Sequence, residues 1–179
     1  MINGDGFLLR KLEAHDATDI YRFKNDPSIG ALLGGFHTGM SVDDVLLWIK
    51  MDRERVGDMI WAVADRTSNA CLGHVGFYKR DHRVRSAEFA ILLGDPTAWG
   101  KGLGGKVTRA VVEYGFQELN LNRISLTVLA INARAIRLYE SVGFRAEGIF
   151  CEAQYKNGAY LDVLAYSLLK RNYPIETVV

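Results

Sequence analysis

Apolar and polar positions alternate in short blocks from the start of the chain. Phe7-Leu8-Leu9-Arg10-Lys11-Leu12 has the pattern of a first strand. A helix is predicted from about Ala14 to Asn25, stopped at Asp26-Pro27 because the residue before proline disfavours helical geometry. Ile29 to Gly39 carries four glycines and reads as a loop. Ser41 can cap a second helix, whose first turn holds Asp43 and Asp44 where acids suit the positive helix end. That helix is expected to reach about Arg55, burying Val45, Leu46, Trp48 and Ile49.

Three strand-like runs follow, Met59 to Ala64, Cys71 to Tyr78 and Ser86 to Leu93. The polar turns between them, Asp65 to Asn69 and Lys79 to His82, are short enough to favour antiparallel hairpins. After a glycine-rich loop, Val107, Ala110, Val111 and Tyr114 recur at helical spacing. Ile124 to Leu129 is rich in strand formers, and Asn132 can cap a helix that ends at Gly143, a residue suited to a left-handed C-terminal cap. Phe144 to Leu169 supplies two more strands around a turn at Lys156-Asn157-Gly158. The order β-α-α-β-β-β-α-β-α-β-β joins an antiparallel half to a β-α-β unit. The expected fold class is α+β, with a mixed central sheet.

Composition narrows the function more by exclusion than by suggestion. The 179 residues suffice for a substantial core, and no linker, repeat or low-complexity stretch divides residues 1–179, so one domain is expected. With 22 basic and 21 acidic residues, the net charge of +1 gives no general pull toward nucleic acid or an acidic membrane. Cys71 and Cys151 form no CxxC pair and read as buried thiols of a reducing cytosol. The start of the chain lacks a signal-peptide pattern, and no segment approaches the ~18 apolar residues that span a bilayer. A cytoplasmic location is the resulting expectation. His15, His37, His74 and His82 have no metal-ligand spacing, so no metal is expected, and His74 reads as a satisfied core residue.

The chemistry concentrates in Trp99-Gly100-Lys101-Gly102-Leu103-Gly104-Gly105-Lys106. This loop satisfies the dinucleotide fingerprint GxGxxG and most of the P-loop pattern GxxxxGK. Both rest on glycines that let backbone N–H groups reach phosphate oxygens, ahead of a positive helix end. A P-loop needs a hydroxyl after its lysine for magnesium, and position 107 is Val. A Rossmann site wants an acid about 20 residues on, and the next strand offers none. A phosphate-bearing ligand is expected whichever family applies.

Leu92 to Phe144 resembles the cofactor-binding core of the GNAT superfamily of N-acetyltransferases. The loop matches the signature Gln/Arg-x-x-Gly-x-Gly/Ala from Trp99 to Gly104, save that Trp99 stands in the first position. Trp-Gly-Lys-Gly resembles the ribosomal-protein N-terminal acetyltransferase branch and its small-molecule relatives. A second signature, Asn132-Ala133-Arg134-Ala135-Ile136-Arg137-Leu138-Tyr139-Glu140-Ser141-Val142-Gly143-Phe144, is close to Asn-x-x-Ala-x-x-x-Tyr-x-x-x-Gly-Phe. The element order agrees with the family over nearly the whole chain. The resemblance implies a sheet whose parallel pair splays to form an acetyl-CoA cleft, flanked by about four helices.

What the resemblance implies for the site is specific. Ile91, Leu92 and Leu93 would offer backbone groups to the pantetheine arm. A backbone N–H on the neighbouring strand, around Thr127 to Leu129, would stabilise the oxyanion. Trp99, Gly100, Lys101, Gly102, Leu103, Gly104 and Gly105 would hold the pyrophosphate, with Lys106 as a further cation, and Asn132 would contact the pantetheine. Tyr139 is the candidate acid, a phenol that titrates near ~10 and can donate to the departing sulfur. It also lies on an apolar stripe with Ala135, Leu138 and Val142, where it could simply pack. Glu88 interrupts an apolar strand and is the candidate base; its alternatives are pairing with Arg83 or Arg85, or simple exposure. Asn132 could equally serve as a helix cap.

The amine is less legible. The early loop Ile29 to His37 is apolar and glycine-rich, and only Asp26, Asp43 and Asp44 lie near it, too few carboxylates to suit a polycation. An amino sugar or a protein N-terminal α-amine fits better; spermidine, an aminoglycoside, or a catalytically silent acyl-CoA-binding module remain alternatives. The hairpin bearing Tyr155, Asn157, Gly158 and Tyr160 borders, in relatives, either the acceptor site or a dimer contact, so a homodimer stays among the expectations.

Overall fold

The computed structural model describes residues 1–35, 39–54 and 57–174. Its elements run β1 (Ile2–Gly4), β2 (Phe7–Arg10), α1 (Ala17–Lys24), α2 (Pro27–Gly30), α3 (Val42–Glu54), β3 (Met59–Asp65), β4 (Cys71–Asp81), β5 (Ser86–Leu93), α4 (Leu103–Gln117), β6 (Arg123–Leu129), α5 (Ala133–Val142), β7 (Arg145–Lys156) and β8 (Ala159–Leu169). The strands form one mixed sheet in the order β1-β2-β3-β4-β5-β6-β8-β7, antiparallel throughout except for the pair β5–β6. The α+β expectation holds, with five α-helices rather than about four among the described residues.

Several boundaries differ from the sequence reading for local reasons. The first predicted strand ends at Arg10, because Arg10 turns its guanidinium onto Asp16 in the short 3₁₀ turn Ala14–Asp16. Asp26-Pro27 does not merely stop α1; it starts α2. The Asp26 carboxylate accepts from the N–H groups of Ser28 and Ile29, and proline at the first helical position needs no N–H partner. β1 went unpredicted because three residues before a Gly6 turn carry no periodicity. Lys79 to Asp81, expected as a turn, continue β4 past an irregularity in register. Of the predicted α3 side, Val45 and Ile49 are buried, Trp48 is half-buried and Leu46 is exposed. Arg55 and His37 lie outside the described residues. Cys71 is buried, with its thiol pushed up to about 12 by burial, but Cys151 is exposed on β7, against expectation.

Two apolar clusters flank the sheet. One lies under α4 and α5 and gathers Phe77, Phe89, Val111, Phe116, Ile124, Leu126, Tyr139 and Phe144. The other lies under α1 and α3 and gathers Ile20, Phe23, Val45, Ile49, Ile60, Ala62 and Leu92. Successive strand residues face opposite sides, so Phe89 enters the first cluster and Leu92 the second. At the far end, the Asn157-Gly158 turn has φ of 51° and 82°, the left-handed pair that a two-residue hairpin requires.

Candidate active site: a parallel pair that splits

β5 and β6 pair over three registers only, Ser86 with Arg123, Ala87 with Ile124 and Glu88 with Ser125. Beyond Glu88 the two strands part. Each stays bonded to its outer neighbour: β5 to β4 as far as Leu93, and β6 to β8 as far as Leu129. The end of β5 is drawn outward because Gly94 N–H and Asp95 N–H both donate to Leu72 O, while Ala130 N–H ties β6 to Asp162 O. The closed end is held by Asn122 and Arg123 N–H on Arg85 O. The opening therefore exposes backbone groups of Ile91, Leu92 and Leu93 on an edge without a strand partner.

The glycine loop stands at the wide end of this opening. The Trp99 indole N–H donates to Leu93 O at 2.8 Å, pinning the loop to the end of β5. Gly100 and Gly102 both have φ of 74°, and a Cβ at either would meet nothing within 4 Å, so the backbone faces open space in a conformation that favours glycine. Gly102 caps α4 without a side-chain bond. The first α4 N–H to find an acceptor is that of Lys106, on Gly102 O; those of Leu103, Gly104 and Gly105 have none among the described residues. Open space, three free N–H groups and a helix N-terminus are what a diphosphate requires. Gly104 serves a different end, since a Cβ there would lie 2.7 Å from Leu138 Cδ1, where α4 approaches α5. Lys101 is exposed, whereas Lys106 is paired to Asp5 at 2.5 Å.

Asn132 caps α5 by accepting from Ala135 N–H at 3.1 Å, and its amide also donates to Leu32 O at 3.2 Å. It thereby ties the early loop to the mouth of the opening. Tyr139 sits one turn before the end of α5, its ring edge-on to Phe89 and to Phe144. Burial pushes its phenol up to about 12, and its hydroxyl has no partner among the described residues. Glu88, at the apex of the split, lies on the opposite face from Phe89. Its carboxylate pairs with Lys79 Nζ at 2.8 Å, not with Arg83 or Arg85, and both partners are open to solvent. The base and acid candidates thus flank one gap from opposite faces of the sheet.

Known proteins agree with this geometry. Residues 7–145 match the family model described as the acetyltransferase (GNAT) domain. The chain belongs to the GNAT acetyltransferase family. It is similar to an uncharacterized N-acetyltransferase, p20, of Bacillus licheniformis, at 30% identity over 92% of this chain and 93% of the relative. It is 35% identical to the spermidine N(1)-acetyltransferase of Vibrio cholerae over 63% of this chain and 64% of the relative. A crystal structure of spermidine N-acetyltransferase from Vibrio cholerae, in complex with CoA and spermine, superposes with a TM-score of 0.85 at 28% identity, covering 95% of this chain and 99% of that one. This GNAT protein is therefore an acyltransferase, acetylating amines with acetyl-CoA. Among the described residues no helix is long and apolar enough to cross a membrane, and no group of three or more His, Cys, Asp or Glu is placed to hold a metal ion.

Sequence reasoning missed three side chains around this candidate site. Arg134 stacks its guanidinium 5.2 Å above the Trp99 ring, bracing the loop against α5. Lys79 holds Glu88. Lys24 extends over the Trp48 ring at 4.7 Å, and Trp48 in turn lies 5.1 Å from the His74 ring. None has a short-range signal, because each pair joins different elements. His74 is buried as expected but not satisfied: neither ring nitrogen has a hydrogen-bond partner, and burial, aided by the Lys24 charge, lowers its pKa to about 3.

Proposed function

We propose that the chain transfers the acetyl group of acetyl-CoA to a primary amine by direct attack in a ternary complex, within the gap between β5 and β6. The donor's diphosphate lies on the free N–H groups of Leu103, Gly104 and Gly105 beside Gly100 and Gly102, and its pantetheine arm follows the open edge of Ile91, Leu92 and Leu93. Tyr139 hydrogen-bonds the departing sulfur. Glu88 takes the amine proton, directly or through a water, once the incoming ammonium weakens its bond to Lys79. The observation that carries this reading is the split itself, with the Tyr139 ring packed on Phe89 on one face and the neighbouring Glu88 carboxylate on the other. Holding the reactants together there supplies much of the acceleration.

For the acceptor, an amino sugar or a protein N-terminal α-amine is favoured over a polyamine. Asp26 and Asp44 are taken up by local hydrogen bonds to Ser28 and Ile29 and to Ser41, and Glu88 by Lys79. A polycation would find few unengaged carboxylates. The likeness to a spermidine N(1)-acetyltransferase favours a second reading, a polyamine acceptor. Thiol release across a panel of amino sugars, nucleotide-linked amino sugars, N-terminal peptides, spermidine and aminoglycosides decides between them. The highest kcat/KM is expected for an amino sugar or peptide; spermidine leading the panel overturns the acceptor assignment, and no release with any amine overturns the whole. A homodimer through the β7–β8 hairpin is part of the proposal, supported by the exposed Ile149 and Phe150. Sedimentation tests it, a monomer at micromolar concentration being the contrary result.

A further inference from the structure

A cleft of about 390 Å³ lies on the α1–α3 side of the sheet, lined by Lys24, Asn25, Asp26, Gly30, Tyr155 and Lys156 among others. It is walled by the early loop, where the resemblance implies the acceptor would enter. Lys24, Trp48 and His74 form a continuous stack from its wall down to β4, where His74 stands opposite Leu92 on β5. On its rim, Lys156 Nζ donates to Gly30 O at 3.0 Å, and Gly35 N–H donates to Gln154 Oε1 at 3.1 Å. The early loop is thus fastened to the hairpin tip on one side and to Asn132 on the other.

The charge of this cleft is unbalanced. Among the described residues its lining holds two ammonium groups and one carboxylate, and that carboxylate, Asp26, is turned to the start of α2, accepting from Ser28 N–H, Ser28 Oγ–H and Ile29 N–H. Lys24 is half-buried, lies over the Trp48 face and makes no ion pair among the described residues. A desolvated ammonium without a counter-charge is costly, and burial lowers its pKa accordingly. A polycation would add to that cost. An anion would relieve it, meeting Lys24 at the wall and the remaining N–H donors of Lys156 at the rim.

We propose that this cleft binds a phosphate or carboxylate carried by the acceptor, with Lys24 as the residue that selects for it. The inference rests on the acetyltransferase reading above and deepens it: the acceptor is an anionic primary amine, not a neutral or polycationic one.

The test compares acceptors matched except for the anionic group, glucosamine against a glucosamine phosphate, and an alanyl-glutamine amide against an alanyl-glutamate amide. A charge-assisted bond gives the anionic member of at least one pair a kcat/KM about tenfold higher or more. The phosphate and carboxylate pairs separate the two sources of the charge. Lys24→Met keeps the stem on Trp48 but removes the charge, and should bring the ratio within each pair down to about one; Lys24→Arg should retain most of it. Calorimetric binding of the glucosamine phosphate to the CoA-loaded protein reads the same preference without turnover. It also serves should Lys24→Met fail to fold, since added salt should then weaken binding to the wild-type protein. A wild-type ratio of one or less in both pairs overturns the proposal, as does an equal loss on neutral and anionic members in Lys24→Met. A protein that binds acetyl-CoA and prefers neutral amines refutes only the anionic cleft. One that releases no thiol with any amine refutes the reading beneath it.

Discussion

A phenol packed between Phe89 and Phe144 is a weak acid and a durable hydrogen-bond donor at once. With its pKa near 12, Tyr139 stays protonated throughout the working range. It sits well above an ordinary thiol at ~8.5, so in the proposed role it would offer a departing thiolate a hydrogen bond that strengthens as charge develops, not early proton release. Tyr139→Phe keeps the ring contacts and removes the donor. Turnover is expected to fall about a hundredfold with acetyl-CoA affinity nearly intact, measured by steady-state thiol release and calorimetry. An unchanged rate would remove Tyr139 as the acid. His74 makes a different prediction. In the unfolded chain its imidazole takes a proton near ~6.5, but in the folded chain only near about 3. Above 6.5 it is neutral in both states and contributes no pH dependence. As pH falls below 6.5 the unfolded state binds a proton that the native state refuses, so stability declines toward pH 3, at no more than about 1.4 kcal/mol per pH unit. Urea unfolding between neutral pH and pH 4.5 should show this slope, flattened in His74→Leu. Equal slopes would place the acid sensitivity elsewhere.

At the scale of elements, the proposed site follows from how two strands are prevented from pairing. The loop and the α5 motif were readable from sequence because their physics is local: glycines at positive φ, an asparagine cap and an apolar stripe all act within a few residues. The split was expected from the resemblance alone, since it depends on Gly94 and Asp95 reaching Leu72 on β4, a contact no periodicity encodes. Asp26-Pro27 shows the ambiguity in small: the same dipeptide ends one helix and begins another, and only Asp26's own hydrogen bonds reveal the second use. Two substitutions probe this level. Gly102→Asp places a side chain on a left-handed residue and a negative charge at the proposed diphosphate; acetyl-CoA affinity should fall about a hundredfold or more by calorimetry, and an unaltered value would refute the loop's role. Gly73→Ala acts on the frame. Its Cβ would lie 2.0 Å from Leu92 O, a backbone atom that cannot swing aside, so β5 must shift against β4. A stability loss of about 1–3 kcal/mol is expected by urea denaturation, and a loss below that range would mean the strands can part there.

Across the whole molecule, the sheet has two well-paired halves joined at three residue pairs between β5 and β6. Helices α4 and α5 close the seam on one face; on the other, the early loop reaches across through Leu32 to Asn132 and Gly35 to Gln154. Apart from β1 and α2, the order of strands and helices and the fold class were legible in the chain because consecutive elements are neighbours here. The meeting of Lys24, Trp48 and His74 was not, because it joins α1, α3 and β4 only after packing. On the proposed placement, the donor is a structural link as well as a reactant. A ligand lying along β5, the loop and α5 binds only when both halves are in place, so its binding energy adds to the stability of the native state. At acetyl-CoA concentrations about a hundred times its dissociation constant, the gain is about 2.7 kcal/mol, and for a chain of this length each kcal/mol moves the melting temperature by about 2–4 °C. Thermal unfolding should therefore rise by about 5–10 °C with saturating acetyl-CoA. Gly102→Asp should rise by no more than about 1–2 °C at the same concentration, whereas Tyr139→Phe should match the wild-type shift. A rise of equal size in Gly102→Asp would mean that the ligand is held elsewhere and that the seam between β5 and β6 is not where it acts.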